Sequence, residues 1–406
     1  MPERQVDALA VRLHDQRIGV INRLAGDRYL FAFDQAYVDD ANRPTLSLAF
    51  KGTSGGLITG VRPYHVRLPP FFSNLLPEGH LREYLAARAG VNVNRDFFLL
   101  AALGADLPGA VSVAPADAAA DDEQADDERD RHGQRPLRFS LAGIQLKFSA
   151  VMETSGGLTI PADGIGGSWI VKLPAARFDA VPENEFAMME LARRIGIPVP
   201  HVKLVPVSDI EGLPRDTGKM EGKALAVQRF DRTSEGRRIH MEDFAQVFGL
   251  YADDKYDRRS YANIAQVLSV EAGDDAVMDF TCRLAFSILI GNADMHLKNW
   301  SLLYLDRRKP SLAPAYDCVS TIAYLPDDRL ALGFGGSKQI SAISQDQIRR
   351  FADTARLAVS PLWRRVQETS EKTVAAWKSL PEKALIPAQI RKAIDEHMAK
   401  VAHSIK

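Results

Sequence analysis

Cysteine is nearly absent from this chain: Cys282 and Cys318 are the two in 406 residues. They are too few for a disulfide framework and do not stand at zinc-ligand spacing, so they read as packed thiols in a reducing compartment. Net charge is almost absent as well, at -1 with a pI near 6.8. That removes any whole-surface attraction to nucleic acid, and direct DNA binding is not favoured. Long apolar runs are missing too. Stretches such as 284–290 are far too short to span a bilayer, and Met1-Pro-Glu-Arg-Gln has no apolar segment behind it. These absences predict a cytoplasmic protein without membrane contact. No internal repeat is found. What is left, 46% hydrophobic and 25% charged, is an ordinary globular composition with room for two or three domains.

The first hundred residues open with short strand-like runs at 6–13, 17–21, 29–33 and 46–50, separated by Gly, Asp, Asn and Pro. Residues 64–113 then shift to loop and helix. Within them, Asn74 and Glu78 of Asn74-Leu-Leu-Pro-Glu-Gly79 could belong to a site, but a turn capping the helix that follows is the favoured reading. From 117 to 135 the chain carries eight acidic and three basic residues and no aromatic or branched aliphatic side chain. Such a segment buries too little apolar surface to offset its ordering entropy, and it predicts a flexible linker.

Beyond the linker, Phe139-Ser-Leu-Ala-Gly-Ile-Gln-Leu-Lys-Phe148 reads as strand, tight bend and strand, with Ser140, Gly143, Gln145 and Lys147 supplying donors near the bend. Gly143 beside Ala142 would let backbone N–H groups approach a phosphate, although one glycine in a hairpin also serves as a plain turn. Ser168-Trp-Ile-Val-Lys-Leu-Pro174 then places Lys172 in an apolar strand, where an ammonium needs a partner. The following stretch has Pro182 near its start, acids early, Arg193 and Arg194 late and Gly196 beyond, so every helix signal agrees. Glu185 lies on the apolar face of that helix with Met188, Met189 and Ala192. A strand lysine with an inward-facing helix glutamate is the pair that holds the α- and β-phosphates of ATP in kinases, and it also suits a structural ion pair. Strands are expected at 199–207 and 224–230. The second leaves the sheet through Val227-Gln-Arg-Phe230, where a kinase hinge would hold adenine by its backbone, with Val227, Gln228 and Phe230 as candidates.

From His240 onward the pattern is helical almost throughout, apart from a glycine turn at 333–336 and the stretch Leu289-Ile-Gly-Asn-Ala-Asp-Met-His-Leu-Lys-Asn-Trp-Ser-Leu-Leu303. Asp294 and Asn299 there have the D-x-x-x-x-N spacing of a kinase catalytic loop, in which the Asp accepts a substrate hydroxyl proton and the Asn binds Mg²⁺. At ~5% for each residue type such a pair arises about once by chance, and Asp179 with Asn184 is a second match. Context separates them. An apolar helix over 276–290 delivers Asp294, strand-like runs at 300–305 and 312–316 follow as a hairpin, and the second ends at Asp317, the order of catalytic Asp, Asn and metal-binding Asp in kinases. His296 either reaches the γ-phosphate or braces the loop, and Lys298 reads as solvated or paired with an acid.

These segments resemble the HipA-type serine/threonine kinase toxins of bacterial toxin–antitoxin systems. The similarity spans Asn74 to Gly79, the 104–111 stretch, Ser140 to Lys147, Val227 to Arg232, Gly291 to Leu303, Tyr316-Asp317 and Gly335-Gly336. It implies an α+β, protein-kinase-like two-lobed fold, with a small β-rich N-lobe over 137–235 and a mostly helical C-lobe over 236–406. A β-rich N-terminal subdomain over 1–116 and the acidic linker over 117–136 precede them. It implies ATP and Mg²⁺ as cofactors, Asp294 as catalytic residue, Asn299 and Asp317 as metal ligands, Lys172 as the ATP lysine and Ser140 as an inactivating autophosphorylation site. The implied partners are a helix-turn-helix antitoxin of the HipB type, DNA through that antitoxin, and a target in the translation machinery such as an aminoacyl-tRNA synthetase. Gln228 and Leu146 depart from the family, which commonly has acids at those places. Two other readings are a small-molecule phosphotransferase of the aminoglycoside or choline kinase type, and a DNA-bound repressor component that holds an antitoxin. The Ser-Leu-Ala-Gly loop and the extra β-rich region weigh against the first, and the near-neutral charge against the second.

Overall fold

The computed structural model describes residues 6–116, 147–152, 158–160, 167–175, 177–213, 220–326, 329–341 and 343–405. The expected linker and residues 139–146, with Ser140, Ala142, Gly143 and Leu146, lie outside them. Strands β1 (Ala8–Leu13), β2 (Gln16–Leu24) and β3 (Arg28–Phe33) form an antiparallel meander. With β4 (Tyr64–His65) and β5 (Val111–Pro115) they make a five-stranded sheet of order β4-β3-β2-β1-β5. Alternation along β1 sends Leu9, Val11 and Leu13 to the buried face. Tyr37, Phe72, Ala86 and Leu100 bring α1 (Gln35–Asp39), α2 (Pro70–Ser73), α3 (Gly79–Ala89) and α4 (Asp96–Leu103) onto the same core. Residues 46–50, expected as a strand, instead turn through a 3₁₀ helix at Leu48–Phe50. There Ser47 Oγ accepts from Ala49 N, and Leu48 N donates to the Glu242 carboxylate.

The second sheet contains β6 (Lys147–Met152), β7 (Leu158–Thr159), β8 (Trp169–Lys172), β9 (Val202–Pro206), β10 (Ile210–Glu211) and β11 (Lys223–Gln228), in the order β10-β7-β6-β8-β11-β9. Against it packs α5 (Val181–Arg194), which carries Pro182 in its first turn and two arginines in its last, as its sequence signals require. Ala187, Met188, Leu191 and Ala192 of α5 share a core with Val202, Leu225 and Val227 of the sheet.

The rest is mainly helical: α6 (Phe244–Val247), α7 (Tyr261–Glu271), α8 (Asp274–Leu289), α9 (Gln345–Ala355), α10 (Val359–Lys378) and α11 (Ala388–Ile405). Two small sheets interrupt it, one of β12 (His240–Asp243), β13 (Ser301–Tyr304) and β14 (Ser311–Leu312), the other of β15 (Arg329–Phe334) and β16 (Ser337–Gln339). β12 falls where the sequence reads as helical. Its strand state comes from pairing with β13, far along the chain. The architecture is α+β and two-lobed in the manner of protein kinases, with a β-rich unit in front. Among the described residues no helix is long and apolar enough to cross a membrane.

Buried charge fastens the front unit to the two lobes. Asp106 and Asp231 pair with Arg229 and Arg232, and all four side chains are almost fully buried. Gly109 (φ +74°) donates its N–H to Asp231 Oδ2, and a Cβ there would stand 2.8 Å from Met241 N, so only glycine allows this approach. Nearby, the fully buried Glu242 accepts from Ser47 Oγ at 2.6 Å, Leu48 N at 3.0 Å and Tyr304 Oη.

Burial outweighs these three donors and pushes the Glu242 carboxyl up to about 7. The folded chain then binds a proton that the unfolded chain releases, so this contribution to stability is complete below the ordinary glutamate range and is lost as pH rises through the raised value. Unfolding midpoints of Glu242→Gln and wild type should therefore diverge between pH 4.5 and about 7, with the wild type losing more stability over that window. Parallel pH profiles for the two proteins would contradict the shift.

Candidate active site

The centre of the site is assembled from three elements. Lys172 ends β8 with 4% of its surface exposed, and Glu185 on α5 has 2%. The Lys172 ammonium donates to Glu185 Oε1 and to Asp317 Oδ1. Asp317 comes from the segment after β14 and keeps 23% of its side chain exposed. Its other oxygen lies 3.3 Å from Lys147 Nζ. Lys147 and Lys172 are register partners on adjacent strands β6 and β8, which explains why both ammonium groups meet one carboxylate. Burial works against charge at Lys172, but Asp317 and Glu185 hold it protonated, above the usual lysine range. Burial likewise works against an ionised Asp317, yet Lys147 and Lys172 keep it well below the usual carboxylate range. Asp317 also has a left-handed backbone, at φ +54°.

The loop carrying Asp294 is built by the end of α8. Gly291 turns the chain at φ +70°, and a Cβ there would meet Ile322 Cγ2 at 2.5 Å, so the helix stops where only glycine fits. Asn292 Nδ2 then donates to Asp317 O at 3.0 Å, Asp294 N donates to Asn292 Oδ1 at 3.2 Å, and Asn299 Nδ2 donates to Asp294 O at 2.9 Å. Two asparagines thus hold the loop by its backbone and leave the Asp294 side chain exposed. Tyr256 Oη donates to Asp294 Oδ1 at 2.9 Å, and the Tyr256 ring meets the His296 ring edge-on at 5.1 Å.

The expected hinge runs beside this centre. Phe230 packs against Tyr316 with ring centroids 5.5 Å apart, one residue from Asp317. The N–H of Gln228 donates to His201 O at 2.8 Å and that of Arg229 to Ser168 O at 2.7 Å, so a base held in this stretch would use its other backbone groups. Val227 is buried in the sheet, while the Gln228 side chain points to solvent.

The structure therefore brings Lys172, Glu185 and Asp317 into direct contact. Asp294 and Asn299 join them through the backbone of one loop, with His296 behind Tyr256. Three further residues take part, of which sequence reading passed over Tyr256 altogether. Lys147 reads from sequence as a donor near the bend, and its meeting with Asp317 is visible only from the pairing of β6 with β8. Tyr256 carries no spacing signal. Glu78, expected as a helix cap, makes no capping bond with its side chain and instead meets Lys255 at 2.7 Å and Lys298 at 2.9 Å. Asn184, half of the chance match, is fully buried and ties α5 to Ser320 just beyond Asp317.

Two family models match the chain: the HipA-like C-terminal domain over residues 139–377 and the HipA N-terminal domain over residues 9–114. Over 402 residues the chain is 50% identical to "Putative kinase Y4dM" of Sinorhizobium fredii, covering 98% of each protein. It is 27% identical over 347 residues to "Serine/threonine-protein kinase toxin HipA" of Shewanella oneidensis, covering 76% of this chain and 74% of that one. Among solved structures, HipA of Shewanella oneidensis MR-1 in complex with HipB and operator DNA superposes with a TM-score of 0.74 at 23% identity, covering 98% of this chain and 96% of that one.

Burial, followed by repulsion from Lys255, lowers His296 to about 3. The imidazole should stay neutral throughout the physiological range. Ring ¹⁵N shifts of His296 should show one neutral tautomer from pH 8 down to pH 5; a titration midpoint near 6.5 would contradict the enclosure described.

Proposed function

The chain belongs to the HipA family, and on that premise we propose that it is an ATP- and Mg²⁺-dependent serine/threonine protein kinase that acts as a toxin. The observation that carries this reading is the Lys172 ammonium lodged between Glu185 and Asp317, with Asp294 exposed on a loop that is bonded to Asp317 through Asn292.

Each residue then has a task. Glu185 holds Lys172 in the strand, so Lys172 can exchange Asp317 for the α- and β-phosphates of ATP without becoming an unpaired buried charge. Asp317 and Asn299 would hold Mg²⁺. The Asn299 amide nitrogen is bonded to Asp294 O, which turns its oxygen away from that carbonyl, and one carboxylate with one amide oxygen suits a hard cation that takes its remaining ligands from phosphate and water. When bound, the metal would offset charge on the transferring phosphoryl group. Asp294 accepts the proton of the attacking serine or threonine hydroxyl. Its bond to the Tyr256 phenol at 2.9 Å supports this, because an O–H donor already sits within the distance that proton transfer needs.

Ser140 is assigned as the regulatory autophosphorylation site. The chain runs from it into β6, where Lys147 touches Asp317. A phosphate on Ser140 would add about two negative charges and repel nucleotide. Ala142 and Gly143 are assigned to the same phosphate-facing bend, Val227 to Phe230 to the adenine side, and His296 to a neutral brace behind Tyr256. The acceptor is assigned to the translation machinery. A HipB-like helix-turn-helix antitoxin is assigned as partner, with DNA reached through it and the cytoplasm as the site of action; in support, the similar Shewanella oneidensis structure is a complex of HipA, HipB and operator DNA.

With labelled ATP and Mg²⁺, wild-type protein should transfer label to protein hydroxyls, Ser140 among them. Asp294→Asn should slow transfer by about 10²- to 10⁴-fold and leave nucleotide affinity unchanged. Label passing only to small alcohols, or transfer indifferent to Asp294→Asn, would sink the reading.

A further inference from the structure

The turn Asn74-Leu-Leu-Pro-Glu78 belongs to the front β-rich unit, yet it ends inside the catalytic loop. Lys298, between Asp294 and Asn299 in sequence, directs its ammonium at Glu78 Oε1 (2.9 Å), Asn74 O (3.1 Å) and Asn74 Oδ1 (3.2 Å), with Asp243 Oδ2 further off at 3.7 Å. The second Glu78 oxygen accepts from Lys255 Nζ at 2.7 Å. Lys255 is itself joined to the loop, since its carbonyl accepts from Leu297 N at 3.2 Å. The next residue, Tyr256, holds Asp294 Oδ1, and its own carbonyl accepts from Lys338 Nζ at 2.9 Å. One carboxylate therefore grips both sides of the loop: Lys298 within it, and the 255–256 segment that aims Asp294.

The turn is fixed well enough to act as a reference point. Asn74 is buried, and its Nδ2 donates to Pro70 O and Leu250 O, each at 2.8 Å. Burial alone would raise the Glu78 carboxyl, but Lys298 and Lys255 hold it at about 2, so the clamp is ionised at any working pH. Although 37% of the Glu78 side chain is exposed, Lys298 keeps only 15% of its own. Without Glu78 that ammonium would keep Asp243 Oδ2 at 3.7 Å and the two Asn74 oxygens, and the link from Lys298 through Glu78 to Lys255 would be lost.

Resting on the reading of Asp294 as the base of phosphoryl transfer, we propose that Glu78 is a positioning residue for that reaction. Through Lys298 and through Lys255–Tyr256, the front unit sets the orientation of the Asp294 carboxylate, which makes that unit part of the catalytic apparatus. Glu78 touches neither nucleotide nor acceptor. Its loss misdirects the base and does not empty the phosphate site.

The test uses full-length wild type, Glu78→Gln, Glu78→Asp and Lys255→Gln, with labelled ATP, Mg²⁺ and casein as a generic acceptor. Titration with a fluorescent ATP analogue gives the binding-competent fraction from its stoichiometry and the affinity from its midpoint. Glu78→Gln should lower kcat by about 10- to 100-fold, as expected for a misplaced catalytic group, with KM for ATP and analogue affinity unchanged. Glu78→Asp, which keeps the charge on a shorter arm, should recover part of the rate, and Lys255→Gln should show a smaller loss of the same kind. Should Glu78→Gln fail to fold, the other two variants carry the same kcat-against-KM comparison. Wild-type rates in the variants, or losses that follow only the binding-competent fraction, would overturn the assignment while leaving the kinase reading intact. A wild type that transfers no phosphate, despite binding the analogue, would overturn both.

Discussion

A buried lysine cannot remain charged without partners, and Lys172 has two: Glu185 from the helix beside it and Asp317 from the opposite lobe. Much of the architecture can be read as what is needed to bring those groups together. The sheet places Lys172 at the end of β8, and the amphipathic face of α5 presents Glu185 inward. The Asp317 segment is held by Asn184 from one side and by Asn292 from the other. Because Asp317 also bonds Lys147, the cluster sets two lysines against two carboxylates and is formally neutral, with Asp317 the carboxylate shared between the lysines. A divalent cation drawn to Asp317 would release both ammonium groups toward a polyanionic ligand.

The contact between the front unit and the lobes has a similar logic. The front unit has an apolar core of its own, yet it also places Leu81 and Tyr84 against the core of the second sheet and Leu48 against that of the helical region. Directional pairs add to that register: Asp106 with Arg229 and Arg232, Ser47 and Leu48 with Glu242, and Glu78 with Lys255 and Lys298. Breaking a buried ion pair leaves a stranded charge at a cost of about 3–5 kcal/mol. The arrangement thus favours a fixed placement over a loose association, and it passes beside residues 227–232 and the loop that carries Asp294.

How much of this the sequence disclosed depends on the range of the cause. The bounds and burial of α5 follow from local signals, with Pro182 at one end, Arg193 and Arg194 at the other, and period-3.6 apolar residues between. The Lys172–Glu185 pair was legible for the same reason, as was the break at Gly291. Elements set by distant partners were not. Residues 46–50 carry a strand-like pattern, but Glu242 captures the Leu48 N–H and turns the chain. His240–Asp243 has no alternation of its own and becomes a strand through β13. Glu78 sits at a helix start, where acids are common, and its actual partners lie at the far end of the chain. Lys147 was legible as a donor near the bend, but its meeting with Asp317 needs the β6–β8 register. The bend bearing Ser140, Ala142 and Gly143 falls outside the described residues, so its role stands on the family resemblance.

The central claim is that the pair between Lys172 and Asp317 opens to admit nucleotide with its metal. Mn²⁺, standing in for Mg²⁺, can be titrated by electron paramagnetic resonance into wild type and Asp317→Asn, with and without a non-hydrolysable ATP analogue. The account predicts tight Mn²⁺ binding that requires the analogue and is lost in Asp317→Asn. Equal Mn²⁺ binding in the two proteins, or binding in the wild type that ignores the analogue, would contradict it.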